Sequence, residues 1–171
     1  MKKISCFILV IVLAQVGNAQ FKLPKALVAA HIIYAGPVST NFSNDYTFGL
    51  GGEVEAGAGL GKTMLTGIVG YISYSPNGSV ARLNATSIKI GIRQYLVAGF
   101  FLNVNGGNAV LKYNGTDGST SKFVMEGGAG FKLLGFEVLA NYGGFTTPVR
   151  LPNGSYFAGS FIVKAGFALK I

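Results

Sequence analysis

Any catalysis by this chain would have to come from a short inventory: one histidine, six acids and fourteen basic residues. His31 is the only histidine. No serine and carboxylate stand near it in sequence to complete a nucleophilic triad, although distant residues can meet in space; its simplest role is a polar residue of the first strand that faces the lumen of a barrel. Glu53 and Glu55, two residues apart, share one face of an extended segment. Such a pair could act as an acid/base couple, but a ladder of ion pairs accounts for it with fewer assumptions. The stretch Gly57-Ala58-Gly59-Leu60-Gly61-Lys62-Thr63 has a Gly-Lys-Thr but no glycine five residues before Gly61. It therefore lacks phosphate-loop spacing and reads as a turn. With one histidine, and acids that fall opposite lysines and an arginine, no metal or cofactor site is expected. Asn77-Gly78-Ser79, Asn114-Gly115-Thr116 and Asn153-Gly154-Ser155 match the glycosylation acceptor pattern, yet Asn-Gly is also ordinary turn chemistry.

The N-terminus carries Lys2 and Lys3, an apolar run from Ile4 to Ala14, and small residues at Gly17 and Ala19. This is the layout of a secretory signal peptide over residues 1–19, with cleavage after Ala19. The expected mature domain is 20–171. Cys6, the sole cysteine, leaves with the signal, so neither a disulfide nor a thiolate site is expected.

Half of the residues are hydrophobic and 12% are charged, against about 25% charged in ordinary soluble domains. Yet the mature part has no apolar run near 18 residues, so it offers no transmembrane helix. A chain can be apolar on average and free of apolar runs when apolar residues alternate with small or polar ones, which is the pattern of a membrane strand. The net charge is +8, of which Lys2 and Lys3 carry two, leaving +6. In an exported protein that favours anionic head groups over nucleic acid, and no basic run interleaved with aromatics supports nucleic-acid binding.

Eight segments alternate with period two: Ala26–Ala35, Tyr46–Ala56, Thr63–Tyr74, Thr86–Leu96, Gly99–Asn105, Lys122–Phe131, Gly135–Tyr142 and Tyr156–Ile171. The fifth is expected to continue through Ala109–Tyr113 beyond a Gly-Gly bulge. Long polar connections (Gly36–Asp45, Ser75–Ala85, Gly106–Ser121, Gly143–Ser155) alternate with short ones (Gly57–Lys62, Val97–Ala98, Lys132–Leu134). An up-and-down membrane barrel has this alternation because its two rims face different compartments. The expected fold is all-β: an eight-stranded antiparallel up-and-down transmembrane β-barrel.

The charges indicate which face looks outward. Ile88, Ile90 and Ile92 oppose Lys89 and Arg93; Phe136, Val138 and Ala140 oppose Glu137; Phe161, Val163 and Phe167 oppose Lys164. Phe123 and Met125 oppose Glu126, and Leu50 and Val54 oppose Glu53 and Glu55. A basic residue facing lipid costs about 2–4 kcal/mol at the bilayer midplane, so three would consume most of a domain's stability. Glu53, Glu55, Lys89, Arg93, Glu126, Glu137 and Lys164 are therefore expected inside, as a network of ion pairs filling a narrow lumen. In the third segment Met64, Leu65, Ile68, Val69, Tyr71 and Ile72 fall on both faces, and periodicity assigns neither. Tyr34, Tyr46, Tyr74, Tyr113, Tyr142 and Tyr156 lie near segment ends, where an interfacial aromatic girdle would sit. The inverse arrangement, a soluble or periplasmic lipocalin-like barrel with an apolar ligand inside, would leave too few charges for a soluble surface.

Strand number, loop alternation and an apolar-alternating last strand make residues 20–171 resemble the outer-membrane protein A/X type of small barrel. The resemblance implies a non-enzymatic protein of the cell outer membrane with a structural or surface-interaction role through four exterior loops. It implies outer-membrane lipid and lipopolysaccharide as surroundings, the barrel-assembly machinery as a partner during insertion, and an extracellular ligand that no loop identifies. Family members usually end in an aromatic residue, where this chain has Ile171. A few such barrels modify lipids with His, Ser and an acid, which makes a lipid-modifying enzyme using His31 a further alternative.

Overall fold

The computed structural model describes residues 24–115, 118–146 and 157–170. The signal segment, Tyr156 and Ile171 lie outside the described residues. Eight strands form: β1 (Pro24–Pro37), β2 (Tyr46–Leu60), β3 (Thr63–Pro76), β4 (Leu83–Tyr95), β5 (Phe100–Tyr113), β6 (Ser119–Leu133), β7 (Phe136–Thr146) and β8 (Phe157–Lys170). Each pairs antiparallel with its sequence neighbour, and β8 pairs with β1, closing the barrel. Closure leaves no sheet edge, so no row of backbone N–H and C=O groups needs water.

Several strands run past the alternating segments, because backbone pairing continues where the hydropathic alternation fades. β2 extends through Gly57–Leu60 against Thr63–Thr66. β5 is unbroken: Gly106 and Gly107 pair in register with Ile90 and Lys89 on one side and with Met125 and Val124 on the other. The expected Gly-Gly bulge is absent there, and a register shift lies instead between Tyr46 and Phe48. The connections still alternate. One rim carries residues 38–45, 77–82, 114–115 and 118, and the other carries residues 61–62, 96–99 and 134–135. The tight turn at Leu134-Gly135 has φ of 50° and 91°, the pair of positive values that a two-residue hairpin needs.

The barrel wall is apolar outside. Ile32, Ile90 and Phe136 are 73%, 70% and 68% exposed, whereas Lys89, Arg93 and Glu137 are buried inside. Strand β3 has a clear polarity after all: Met64, Ile68 and Tyr74 point inward and are buried, while Leu65, Val69 and Tyr71 face out. Periodicity failed there because the lumen is not uniformly polar, and β3 crosses its apolar levels. Near the long-loop rim a cluster of Ile33, Tyr46, Tyr74, Leu83, Leu111, Phe145 and Ile162 fills the interior. A short helix, α1 (Thr40–Asp45), inserts Phe42 into this cluster. The Phe42 ring lies 5.2 Å from Tyr46, 5.0 Å from Tyr74 and 5.4 Å from Phe145. Tyr46 and Tyr74 therefore belong to an internal plug and not to the girdle, whereas Tyr34, Tyr113 and Tyr142 are exposed. A smaller apolar layer of Leu27, Ala29, Met64 and Ala168 lies toward the short-turn rim.

Candidate functional site

Between the two apolar layers lies an ionised belt, built by strand alternation. His31 of β1, Glu53 and Glu55 of β2, Lys89 and Arg93 of β4, Glu126 of β6, Glu137 of β7 and Lys164 of β8 all point inward and are at most 5% exposed. Space for them comes from inward glycines. A Cβ at Gly143 would collide with the Glu126 side chain, and one at Gly166 with the backbone at Ala30 and with His31.

The belt has two tiers. In the first, Lys89 Nζ lies 3.2 Å from Glu53 Oε2 and 3.0 Å from Glu126 Oε2. Lys164 Nζ lies 2.7 Å from Glu53 Oε1 and 2.6 Å from Glu126 Oε1. Each carboxylate thus grips both ammonium groups and each ammonium both carboxylates, a closed square of alternating sign across β2, β4, β6 and β8. Asn105 Nδ2 also donates to Glu126 Oε1 at 2.9 Å. In the second tier the Arg93 guanidinium spans Glu55 (2.6 Å) and both oxygens of Glu137 (2.8 Å each), with its Cζ 4.3 Å above the Phe101 ring. His31 joins the tiers: Nε2 is 3.2 Å from Glu137 Oε2 and Nδ1 is 3.6 Å from Glu53 Oε1. The four carboxylates outnumber Lys89, Arg93 and Lys164 by one, so an imidazolium at His31 would bring the belt to neutrality. Multiple partners are what make such burial tolerable, since desolvating each ion costs several kcal/mol.

All seven sequence-nominated residues thus point into the lumen, four of them paired in one tier and three in the other. Sequence reasoning left His31 out of the network because imidazole carries no fixed charge to contrast with an apolar face. It also missed Asn105 and Phe101, whose types suggest nothing about lumen packing.

The chemistry open to this arrangement is narrow. Donor atoms of His31, Glu53 and Glu55 lie within 4.8 Å of one another, a spacing compatible with a metal ion. Ammonium and guanidinium groups already hold those carboxylates at 2.6–3.2 Å, occupying the directions a cation would need. Among the described residues no serine hydroxyl hydrogen-bonds His31, whose ring neighbours are carboxylates. A triad is not assembled around it.

A closed barrel with an apolar outer wall and an ionised, side-chain-filled lumen is a transmembrane β-barrel. No protein-family model matches the chain, and no curated protein matches it, but solved structures do. The outer membrane protein Ail of Yersinia pestis in a phospholipid bilayer nanodisc is similar with a TM-score of 0.54 at 13% identity, over 84% of this chain and 99% of that one. The N-terminal β-barrel domain of Pseudomonas aeruginosa OprF gives 0.54 at 15%, over 85% and 97%. The outer membrane protein OprG of the same organism gives 0.51 at 9%, over 88% and 97%. At these identities the likeness is one of fold, and the fold is that of small outer-membrane barrels.

Proposed function

We propose that the chain is a non-enzymatic integral protein of the bacterial outer membrane, exported by a signal peptide cleaved after Ala19. Its long-loop rim faces the exterior and acts as a structural or surface-interaction platform. The observation that carries this reading is the inverted burial: ion pairs inside, and Ile32, Ile90 and Phe136 outside. In water that wall would be an apolar patch far larger than soluble proteins expose. The stacked lumen argues against a channel, because the aromatic plug around Phe42 lies directly on the belt of charges. Enclosure of His31 between Glu53 and Glu137 argues against a lipid-modifying enzyme, whose acyl substrate would approach from the outer wall. Lipopolysaccharide, the barrel-assembly machinery and an extracellular ligand are the partners this role requires.

Expression of the full chain in a Gram-negative host tests the reading. The protein should sediment with outer membranes, need detergent for extraction, migrate differently on gels with and without heating, and begin at Gln20. Planar bilayers containing it should carry no steady current. Recovery in the soluble periplasmic fraction would overturn the proposal.

A further inference from the structure

The outer wall is not uniform around the barrel. On β3–β6 it holds a groove of about 420 Å³ lined by apolar side chains including Leu65, Ile90, Val104, Phe123 and Met125. The register explains the groove. One row across these strands reads Gly67, Ile90, Gly106, Met125, so absent and bulky side chains alternate, and Gly127 stands beside Val104 in the adjacent row.

Moving toward the long-loop rim, the next row reads Val69, Ile88, Asn108, Phe123. Asn108 is exposed on this wall, and an amide in hydrocarbon without a hydrogen-bonding partner is costly. Two rows further stand Ser73, Asn84, Lys112 and Ser119. There Tyr71 Oη and Ser73 Oγ both donate to Asn84 Oδ1, at 3.0 Å and 2.8 Å, and Asn84 Nδ2 donates to Asn114 Oδ1 at 3.0 Å. The ion pairs among the described residues all lie in the lumen, and Lys112 has no acidic partner among the described residues. One sector therefore presents, in order of height, an apolar groove, a lone amide, and a polar row carrying a cation.

We propose that this sector binds one anionic, phosphate-bearing lipid of the outer leaflet. Its acyl chain lies in the groove over Gly106 and runs past Asn108, and the phosphate meets Lys112. The distances agree. Gly106 and Lys112 are six residues apart, about 20 Å along a strand, or about 14 Å of depth at a tilt near 45°. That is close to one leaflet's share of a hydrocarbon core about 30 Å thick. A second copy of the chain fits poorly. Two copies in one membrane share an axis along the bilayer normal, so groove would face groove and Lys112 would meet Lys112. The inference rests on the membrane orientation proposed above.

Native mass spectrometry of the full-length gene product, purified from membranes in detergent, tests it with dimyristoyl phosphatidic acid and dimyristoyl phosphatidylcholine as probes. The wild type should retain one phosphatidic acid with about fivefold preference over the zwitterionic lipid. Lys112→Gln should abolish the preference while keeping chain binding, and Gly106→Leu should reduce retention of both lipids. Gly106→Leu is a fair probe because an added Cβ meets Phe123 Cζ at 3.6 Å and Val124 O at 3.9 Å, ordinary contacts. Gly67→Leu, whose Cβ would meet nothing within 4 Å, is an independent variant, and heat-dependent gel migration verifies folding of each. Equal lipid retention by wild type and all three variants overturns the site. So does a dimer peak that disappears with Gly106→Leu. If the protein sediments with outer membranes and the variants still bind like wild type, this inference alone fails; recovery outside the membrane removes the membrane reading beneath it.

Discussion

The middle of the lumen and its long-loop end are filled by opposite chemistries. At mid-height Lys89, Arg93 and Lys164 neutralise carboxylates from β2, β6 and β7; at the end Phe42, Tyr46, Tyr74 and Phe145 pack ring against ring. Both regions exclude water from a narrow cylinder, but they fail differently when damaged. An apolar plug loses contact area and can relax by collapse. An ionic belt that loses one member leaves another ion buried without its partner, a larger penalty than the pair was worth. The belt thus contributes less net stability than its bond count suggests, yet it tolerates single changes worst.

The contrast can be tested in order of effect. Glu137→Leu should be the most damaging, because it strips Arg93 of two hydrogen bonds and His31 of its closest carboxylate. A loss of about 3–5 kcal/mol is expected in denaturant unfolding from lipid vesicles; a neutral result would mean water reaches the belt. Phe42→Ala should cost about 3 kcal/mol and expose the upper lumen to water-soluble quenchers. Bilayers should remain non-conducting, because the belt beneath still blocks the path; a steady current would show that the plug alone seals the barrel. Ile90→Lys brings the chemistry of the belt to the outer wall and should cost about 2 kcal/mol in lipid. An unchanged midpoint there would place Ile90 away from hydrocarbon. Tyr46→Phe removes the hydroxyl donated to Ala81 O at 3.1 Å and should cost about 1 kcal/mol, leaving the rings in place.

The two regions also differ in how readable they were. The belt was legible because a charge opposite a run of isoleucines, as with Lys89 between Ile88 and Ile90, contrasts sharply at period two. The plug was not. Tyr46 and Tyr74 sit near strand ends, where an outward girdle and an inward cap use the same residue type, and Phe42 lies in what the sequence presents as a loop. For β3 the difficulty had the same origin: its inward face supplies Met64, Ile68 and Tyr74, as apolar as its outward face. Gly106 and Gly107 looked like a break in β5, yet pairing carries through them.

Alternation, strand count and loop lengths determined an eight-stranded barrel with its charges inside, because each is a property of residues close together in the chain. Which charges meet was decided only by closure. Lys164 reaches Glu126 and Glu53, 38 and 111 residues away in the chain, because curling the sheet brings β2, β4, β6 and β8 around one axis. The same closure turned His31 from a lone polar residue into the link between two tiers, and no local pattern carries that information.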